Sequence, residues 1–268
     1  MSIQRSASPT TPSLLERISV VLIARDSERT LARCLGSLDG FSDIVVYDNG
    51  SRDGTLDIAR SFANVRIVQG RFEGFGPTRN RAAEQARHAH ILALDTDEWL
   101  LPTAVDKLAG LHALPGDDRV IALRRDNFLA GRRLRGRPGR EWVKRLYHRD
   151  HFHFQGQVHE RLVDASGQRA RALKLAAAME HDAYASIGHL FEKRWRYAHP
   201  ELHDGRGLHP ALALGRGGWR FLRCYFLHYA LIDGWRGLVF ALAEGYGSFL
   251  KAAWAYEVEC GRHGSRRR

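Results

Sequence analysis

Cysteine is scarce in this chain of 268 residues: Cys34, Cys224 and Cys260 are the whole supply. Three is an odd number, and their spacing matches neither a disulfide framework nor a metal site. They read as reduced thiols of a reducing compartment, each filling space. Also lacking is any uncharged apolar stretch of the length needed to cross a bilayer. Met1 to Arg17 is rich in Ser, Thr and Pro and holds no apolar run, so no signal peptide is expected there. These absences together predict a cytoplasmic protein that does not span a membrane.

Acidic residues are outnumbered. Lys and Arg total 41 against 30 Asp and Glu, a formal net charge of +11. Hydrophobic residues at 44% and charged residues at 26% are ordinary for a globular chain. The charge calls for a polyanionic partner, and nucleic acid, phosphorylated glycan and anionic membrane are all eligible.

Ile18 to Ala24 is a continuous, β-branched apolar run, as expected of a strand buried on both faces. Leu31, Leu35 and Leu38 then recur at helical spacing. Further strands are expected at Ile44–Tyr47, Val65–Val68 and Ile91–Leu94, with helices from about Thr55 to Phe62 and from about Thr78 to Ala89. Such alternation signals a parallel α/β sheet, whose ligands bind beyond the carboxyl ends of the strands. Asp26, Asp48, Asp95 and Asp97 all fall at such ends. Each could equally end a strand or serve a turn.

Asp95-Thr96-Asp97 is the strongest local feature, because two carboxylates one residue apart after a buried strand suit Mg²⁺ or Mn²⁺. Farther on, Val120–Leu123 and Val143–Tyr147 read as strands. Between them lie Arg124, Arg125, Arg132, Arg133, Arg135, Arg137 and Arg140, broken by Gly131, Gly136 and Gly139. That spacing predicts a mobile basic loop that recognises phosphate through arginine forks. A helix is expected over Ile187–Ala198, then a His- and Gly-rich loop from His199 to Gly218. Trp219, Leu222, Phe226 and Tyr229 share a helical face, and after Asp233-Gly234 the pattern resumes through Trp254. Arginines beside Trp and Leu suit a helix in a membrane interface, and a hairpin packed on the core suits the same spacing.

The succession Ile18–Ala24, Asp48-Asn49-Gly50-Ser51-Arg52-Asp53-Gly54-Thr55, Thr78-Arg79-Asn80 and Asp95-Thr96-Asp97-Glu98 resembles the family 2 glycosyltransferases. More narrowly, it is similar to the bacterial lipopolysaccharide core glucosyltransferases, well over about Ile18 to Leu162 and more loosely beyond. The resemblance implies a GT-A fold, a Rossmann-like mostly parallel sheet with flanking helices, here with a C-terminal helical appendage. With the residue patterns above, the expected division is a flexible stretch over 1–17, a transferase domain over 18–180, a membrane-associating helical region over 181–260 and a basic tail over 261–268.

It also implies roles. Asp48 would sit beside the nucleobase or ribose, with Ala24 and Asp26 lining the same pocket. Arg79 would lie near the donor phosphates or base. Asp95 would contact the nucleotide sugar, and Asp97, with Asp95, would hold Mg²⁺ or Mn²⁺ against the diphosphate. Glu160 would be the base for an acceptor hydroxyl, with His159 as a positioning group or a neighbour of the metal. The implied reaction is inverting transfer of a hexose, glucose from UDP-glucose foremost, onto a lipopolysaccharide core or similar phosphorylated glycolipid at an anionic membrane surface. Asn49, Arg52 and the run Arg25-Asp26-Ser27-Glu28 depart from the usual pattern, which bears on the donor base and sugar. Two rivals remain: a transferase charging a polyprenyl phosphate, which needs no base, and a non-catalytic nucleic-acid binder. No nucleic-acid partner is expected, because strand-end carboxylates repel phosphodiesters.

Overall fold

A computed structural model describes residues 13–157, 160–199 and 207–265. The chain divides into two units. One holds residues 1–123 and 143–179, the other 124–142 and 180–268.

In the first unit, strands β1 (Ile18–Ala24), β2 (Asp43–Asp48), β3 (Val65–Gln69) and β4 (His90–Asp95) are parallel neighbours in the order β3-β2-β1-β4. β1 lies innermost, with Val20 beside Ile44 on one flank and Leu92 on the other. Burial on both faces explains its apolar run, which Ser19 interrupts with a buried hydroxyl that donates to Asp43 at 2.6 Å. Beyond β4 the sheet continues through β8 (Arg140–His148), β6 (Val120–Leu129) and β11 (Ala172–Tyr184) to β5 (Glu98–Leu100). β8 is antiparallel to β4. The division between the units falls inside β6, β8 and β11. A separate hairpin pairs β9 (Phe152–Gln155) with β10 (Arg161–Asp164).

Helices α1 (Glu28–Gly36), α2 (Thr55–Arg60), α3 (Phe75–Glu84) and α4 (Pro102–Ala109) flank this sheet. α1 turns Leu31, Cys34 and Leu35 into a core with Val20, Leu22, Ile44 and Leu92. α3 begins earlier than the expected Thr78 and ends well before Ala89. At its start the backbone carbonyls of Gly156 and Gln157 accept from Gly76 and Phe75, drawing the Gly-rich run into the helix. At its end the Asp43 carboxylate and the Ser19 hydroxyl capture the amides of Arg87 and His88, which diverts them from helical bonds.

The second unit holds β7 (Arg132–Arg133), a 3₁₀ turn over Arg137–Gly139, and helices α5 (Ile187–Ala198), α6 (Pro210–Leu222) and α7 (Trp235–Ser265). Its core gathers Leu129, Leu134, Leu190, Cys224, Phe240 and Ala241. The arginine-rich segment is ordered structure where a mobile loop was expected. β6 runs on through Arg124 and Arg125 to Leu129 and turns back into β7. Its charge is gathered by Asp126, whose buried carboxylate lies 3.3 Å from Arg124, 3.0 Å from Arg133 and 4.0 Å from Arg140. The expected loop from His199 to Gly218 is likewise shorter, since Pro210 starts α6 and the His209 ring accepts from the Ala211 amide. The break at Asp233-Gly234 is present, with Gly234 at φ +59° ahead of α7.

Candidate active site

The carboxyl ends of β1, β2 and β4 bring the sequence-marked residues of the first unit together. Asp48 closes β2 almost fully buried, and its carboxylate accepts from the Gly50 amide (3.1 Å), the Ser51 amide (3.2 Å) and the Ser51 hydroxyl (2.5 Å). Those bonds fold the following loop over the strand end, and Gly50 at φ +88° makes the reversal possible. Ala24 contributes its backbone: its carbonyl accepts from the Asn49 amide at 2.8 Å.

Asp26 adopts φ +48°, a conformation Asp tolerates better than most residues. Its carboxylate accepts from the Arg52 amide at 2.8 Å, and its amide donates to Ser51 Oγ at 3.0 Å. Glu28 reaches the Gly54 amide and Thr55 Oγ1 accepts from the Ser27 amide, so the loops after β1 and β2 form one laced rim.

At the end of β4, Asp95 lies between two buried guanidiniums. One oxygen pairs with Arg79 and the other with Arg145 at 2.8 Å. Arg145 also holds Glu98, which is fully buried and accepts from the Asp95 amide at 3.1 Å. Arg79 Nε donates to Glu160 Oε1 at 3.3 Å. Burial alone would lower the Arg79 pKa, and the charges of Asp95 and Glu160 more than reverse that, so it sits above the ordinary arginine value. Asp97 is half-buried one residue beyond Thr96, whose hydroxyl donates to Ser27 Oγ at 3.0 Å. Cys34 lies beneath, its thiol 3.7 Å from the Asp95 carbonyl. Burial, then the Glu98, Asp97 and Asp95 charges, push its pKa well up, so it is inert packing.

Glu160 is placed by the hairpin of β9 and β10. Asn80 on α3 grips that hairpin with both ends of its amide, donating to the Phe154 carbonyl at 2.9 Å and accepting from the Phe154 amide at 2.8 Å. His159 lies outside the described residues. Arg145, Glu98 and Asn80 therefore join the site without having been assigned a part in it.

For a divalent cation the donor set is partial. Among the described residues no group of three or more His, Cys, Asp or Glu is arranged to hold a metal. Asp97 and Asp95 are hard oxygen donors, and such a pair suits Mg²⁺ or Mn²⁺ when substrate phosphates complete the shell.

A parallel sheet with this carboxylate-rich rim belongs to the class of α/β proteins that take their ligands at the carboxyl ends of the strands. The profile of Glycosyl transferase family 2 matches residues 19–199, and the chain belongs to that family. Its mostly parallel sheet with flanking helices is the GT-A fold. Among curated relatives, a TPR repeat-containing protein of Synechococcus elongatus is 32% identical over 154 residues, covering 57% of this chain and 36% of that protein. The lipopolysaccharide core biosynthesis glycosyltransferase LpsC of Rhizobium meliloti is 27% identical over 111 residues, 40% of each chain. The chain thus matches well under two thirds of the length of either relative. Among solved structures, S. aureus TarS in complex with UDP-GlcNAc aligns over 92% of both chains at 17% identity, with a TM-score of 0.43.

Proposed function

We propose that the protein transfers a hexose, glucose from UDP-glucose foremost, onto a lipopolysaccharide core or similar phosphorylated glycolipid at an anionic membrane surface. The observation that carries this reading is Arg79: one buried guanidinium joins Asp95 of the donor-side strand end to Glu160, the candidate base. Two groups the reaction needs near one anomeric carbon are thereby tied to a single fixed point. The place of LpsC in lipopolysaccharide core biosynthesis supports the acceptor class.

Asp48, with Ala24 and Asp26, would line the nucleoside pocket. Arg79, held rigid by its two carboxylates, would face the donor. Glu160 would take the proton of the acceptor hydroxyl as its oxygen attacks the anomeric carbon opposite the leaving nucleoside diphosphate, with inversion. Asp97 and Asp95 would hold Mg²⁺ or Mn²⁺, which supplies charge stabilisation to the departing diphosphate.

The test pairs binding with turnover. A panel of nucleotide sugars with Mn²⁺ is scored for thermal stabilisation, and sugar transfer is then measured with the best donor. Asp97→Ala should lose transfer while still folding, and EDTA should silence the wild type reversibly. Glu160→Gln should keep donor binding while turnover falls roughly 10²-fold or more. Full transfer in excess EDTA sinks the metal. Full transfer by Glu160→Gln removes the base and favours a lipid phosphate as nucleophile, as in polyprenyl-phosphate charging.

A further inference from the structure

The second unit carries an open cavity of about 320 Å³ that the reading above does not use. That volume is near the lower end for small-molecule sites and takes one sugar ring with a substituent. We propose that it binds a monosaccharide unit carrying one anionic group, phosphate or carboxylate, and so recognises the charged part of the acceptor. The inference rests on the acceptor being an anionic glycan and gives that acceptor a place on the protein.

Three arginines from three elements line the cavity: Arg137 from the 3₁₀ turn, Arg194 from α5 and Arg220 from α6. Glu244 on α7 holds two of them, one carboxylate oxygen 2.5 Å from Arg194 and the other 2.5 Å from Arg220. A single carboxylate orients both guanidiniums yet balances only one of their charges. Glu141, the other lining carboxylate, is already met by Arg125 at 2.8 Å. Arg137 has no carboxylate within salt-bridge distance among the described residues. The cavity is therefore left with surplus positive charge, and guanidinium forks match phosphate or carboxylate oxygens.

Arg194 adds a second sign. Its Nε is buried with no hydrogen-bond partner in the structure, a state native proteins rarely leave unmet. Beside it the Tyr184 hydroxyl accepts from Arg194 at 2.9 Å and keeps its own proton to donate, as a sugar hydroxyl requires. The Phe240 ring supplies an apolar wall for the C–H face of a pyranose.

The walls are built in advance. Asp233 accepts from the Arg135 and Gly136 amides at 2.7 and 3.0 Å, and the His228 carbonyl accepts from the Arg137 amide at 2.8 Å. The backbone over Arg223–Leu227 widens into a π-helical turn, which sets Cys224 and His228 on the lining. Such turns recur at functional sites. His228 registers the local field: burial, then Arg223, Arg137 and Arg220, hold its pKa below the usual histidine value, against a smaller opposing pull from Glu244. At neutral pH it stays uncharged and leaves the arginines to meet the anion.

The experiment is calorimetric titration of the full chain with glucose 6-phosphate, glucuronate, inorganic phosphate and glucose. UDP with Mn²⁺ is titrated separately to report on the donor pocket. At least one charged sugar should bind with a Kd near 1 mM or tighter, while glucose and inorganic phosphate bind at least about tenfold more weakly. The phosphate and carboxylate arms decide which group the site prefers. Arg137→Ala and Arg220→Met should each weaken the charged sugar by about tenfold or more and leave UDP unchanged. Arg137 is exposed, so its removal does not threaten folding. The proposal is overturned if neither charged sugar binds up to about 10 mM, if both variants bind it as the wild type does, or if inorganic phosphate binds equally well. A wild type that binds the charged sugar and ignores nucleotides would instead sink the donor reading and leave the cavity assignment standing.

Discussion

Asp95 can keep a fixed position at the end of β4 because each of its oxygens answers to a different buried guanidinium. Arg145 is the deeper anchor, since it also neutralises Glu98, a carboxylate with no exposed surface. Replacing it with methionine keeps the volume and strands Glu98 beside Asp95. Removing one partner from a buried pair costs about 3–5 kcal/mol. Arg145→Met should therefore melt far earlier than wild type in urea, and Glu98→Gln on that background should recover part of the loss. A midpoint unchanged by Arg145→Met would show that solvent already screens this pair. The strand-end positions of Asp48 and Asp95 were legible in the sequence because each directly follows a short apolar run. Arg145 was not, because its partners lie 47 and 50 positions away and nothing local reports a long-range pair.

At the scale of elements, patterning revealed what depends on near neighbours. β1 and α5 fall where their sequences place them, since buried runs and helical spacing are local signals. β5, β9, β10 and β11 had no such signal. β5 is three residues long, and β11 mixes Lys174, Glu180, His181 and Asp182 into its run. The crossing of α6 and α7 was equally hidden, and it depends on two glycines. A Cβ placed on Gly245 would stand 2.9 Å from the Gly217 carbonyl oxygen, and one on Gly217 would stand 2.9 Å from that of Gly245. Backbone faces backbone there, so neither side chain can step aside. Gly245→Ala should lose about 1–3 kcal/mol through overpacking. Gly215, on the same helix α6, has nothing within 4 Å of its would-be Cβ. Gly215→Ala should instead gain roughly 0.5–1 kcal/mol by helix propensity alone. Thermal melts of the two single variants decide it, and equal shifts would mean the helices do not cross at those glycines.

For the whole molecule the governing facts are a net charge of +11 and the way α6 and α7 are turned. These helices put small residues inside, Ala213, Gly217, Ala241, Ala243 and Ala252 among them, and large apolar ones outside. Leu214 is 67% exposed, Trp219 60%, Phe226 53% and Trp235 52%. That inverts the rule for a helix facing water, and an apolar surface of this extent marks an interaction site. Among the described residues no helix is long and apolar enough to cross a membrane. The anionic membrane surface proposed for the acceptor would cover these side chains, with Arg216 and Arg223 close by in sequence to meet its headgroups. Each basic residue near such a surface contributes about 1 kcal/mol, and salt weakens that share while leaving the apolar share in place. Wild type should therefore cosediment with vesicles of phosphatidylglycerol and phosphatidylcholine, and far less with phosphatidylcholine alone. Truncation after α6 is a poor probe, because it would strip Phe240 and Ala241 from the core of the second unit. The triple substitution Trp219→Ser, Phe226→Ser and Trp235→Ser touches only exposed positions and should keep the melting temperature while vesicle binding falls at least about tenfold. Binding that survives the triple substitution but vanishes in 0.5 M salt, about a 4 Å screening length, would leave charge alone as the attraction and clear these aromatic residues of any part in it.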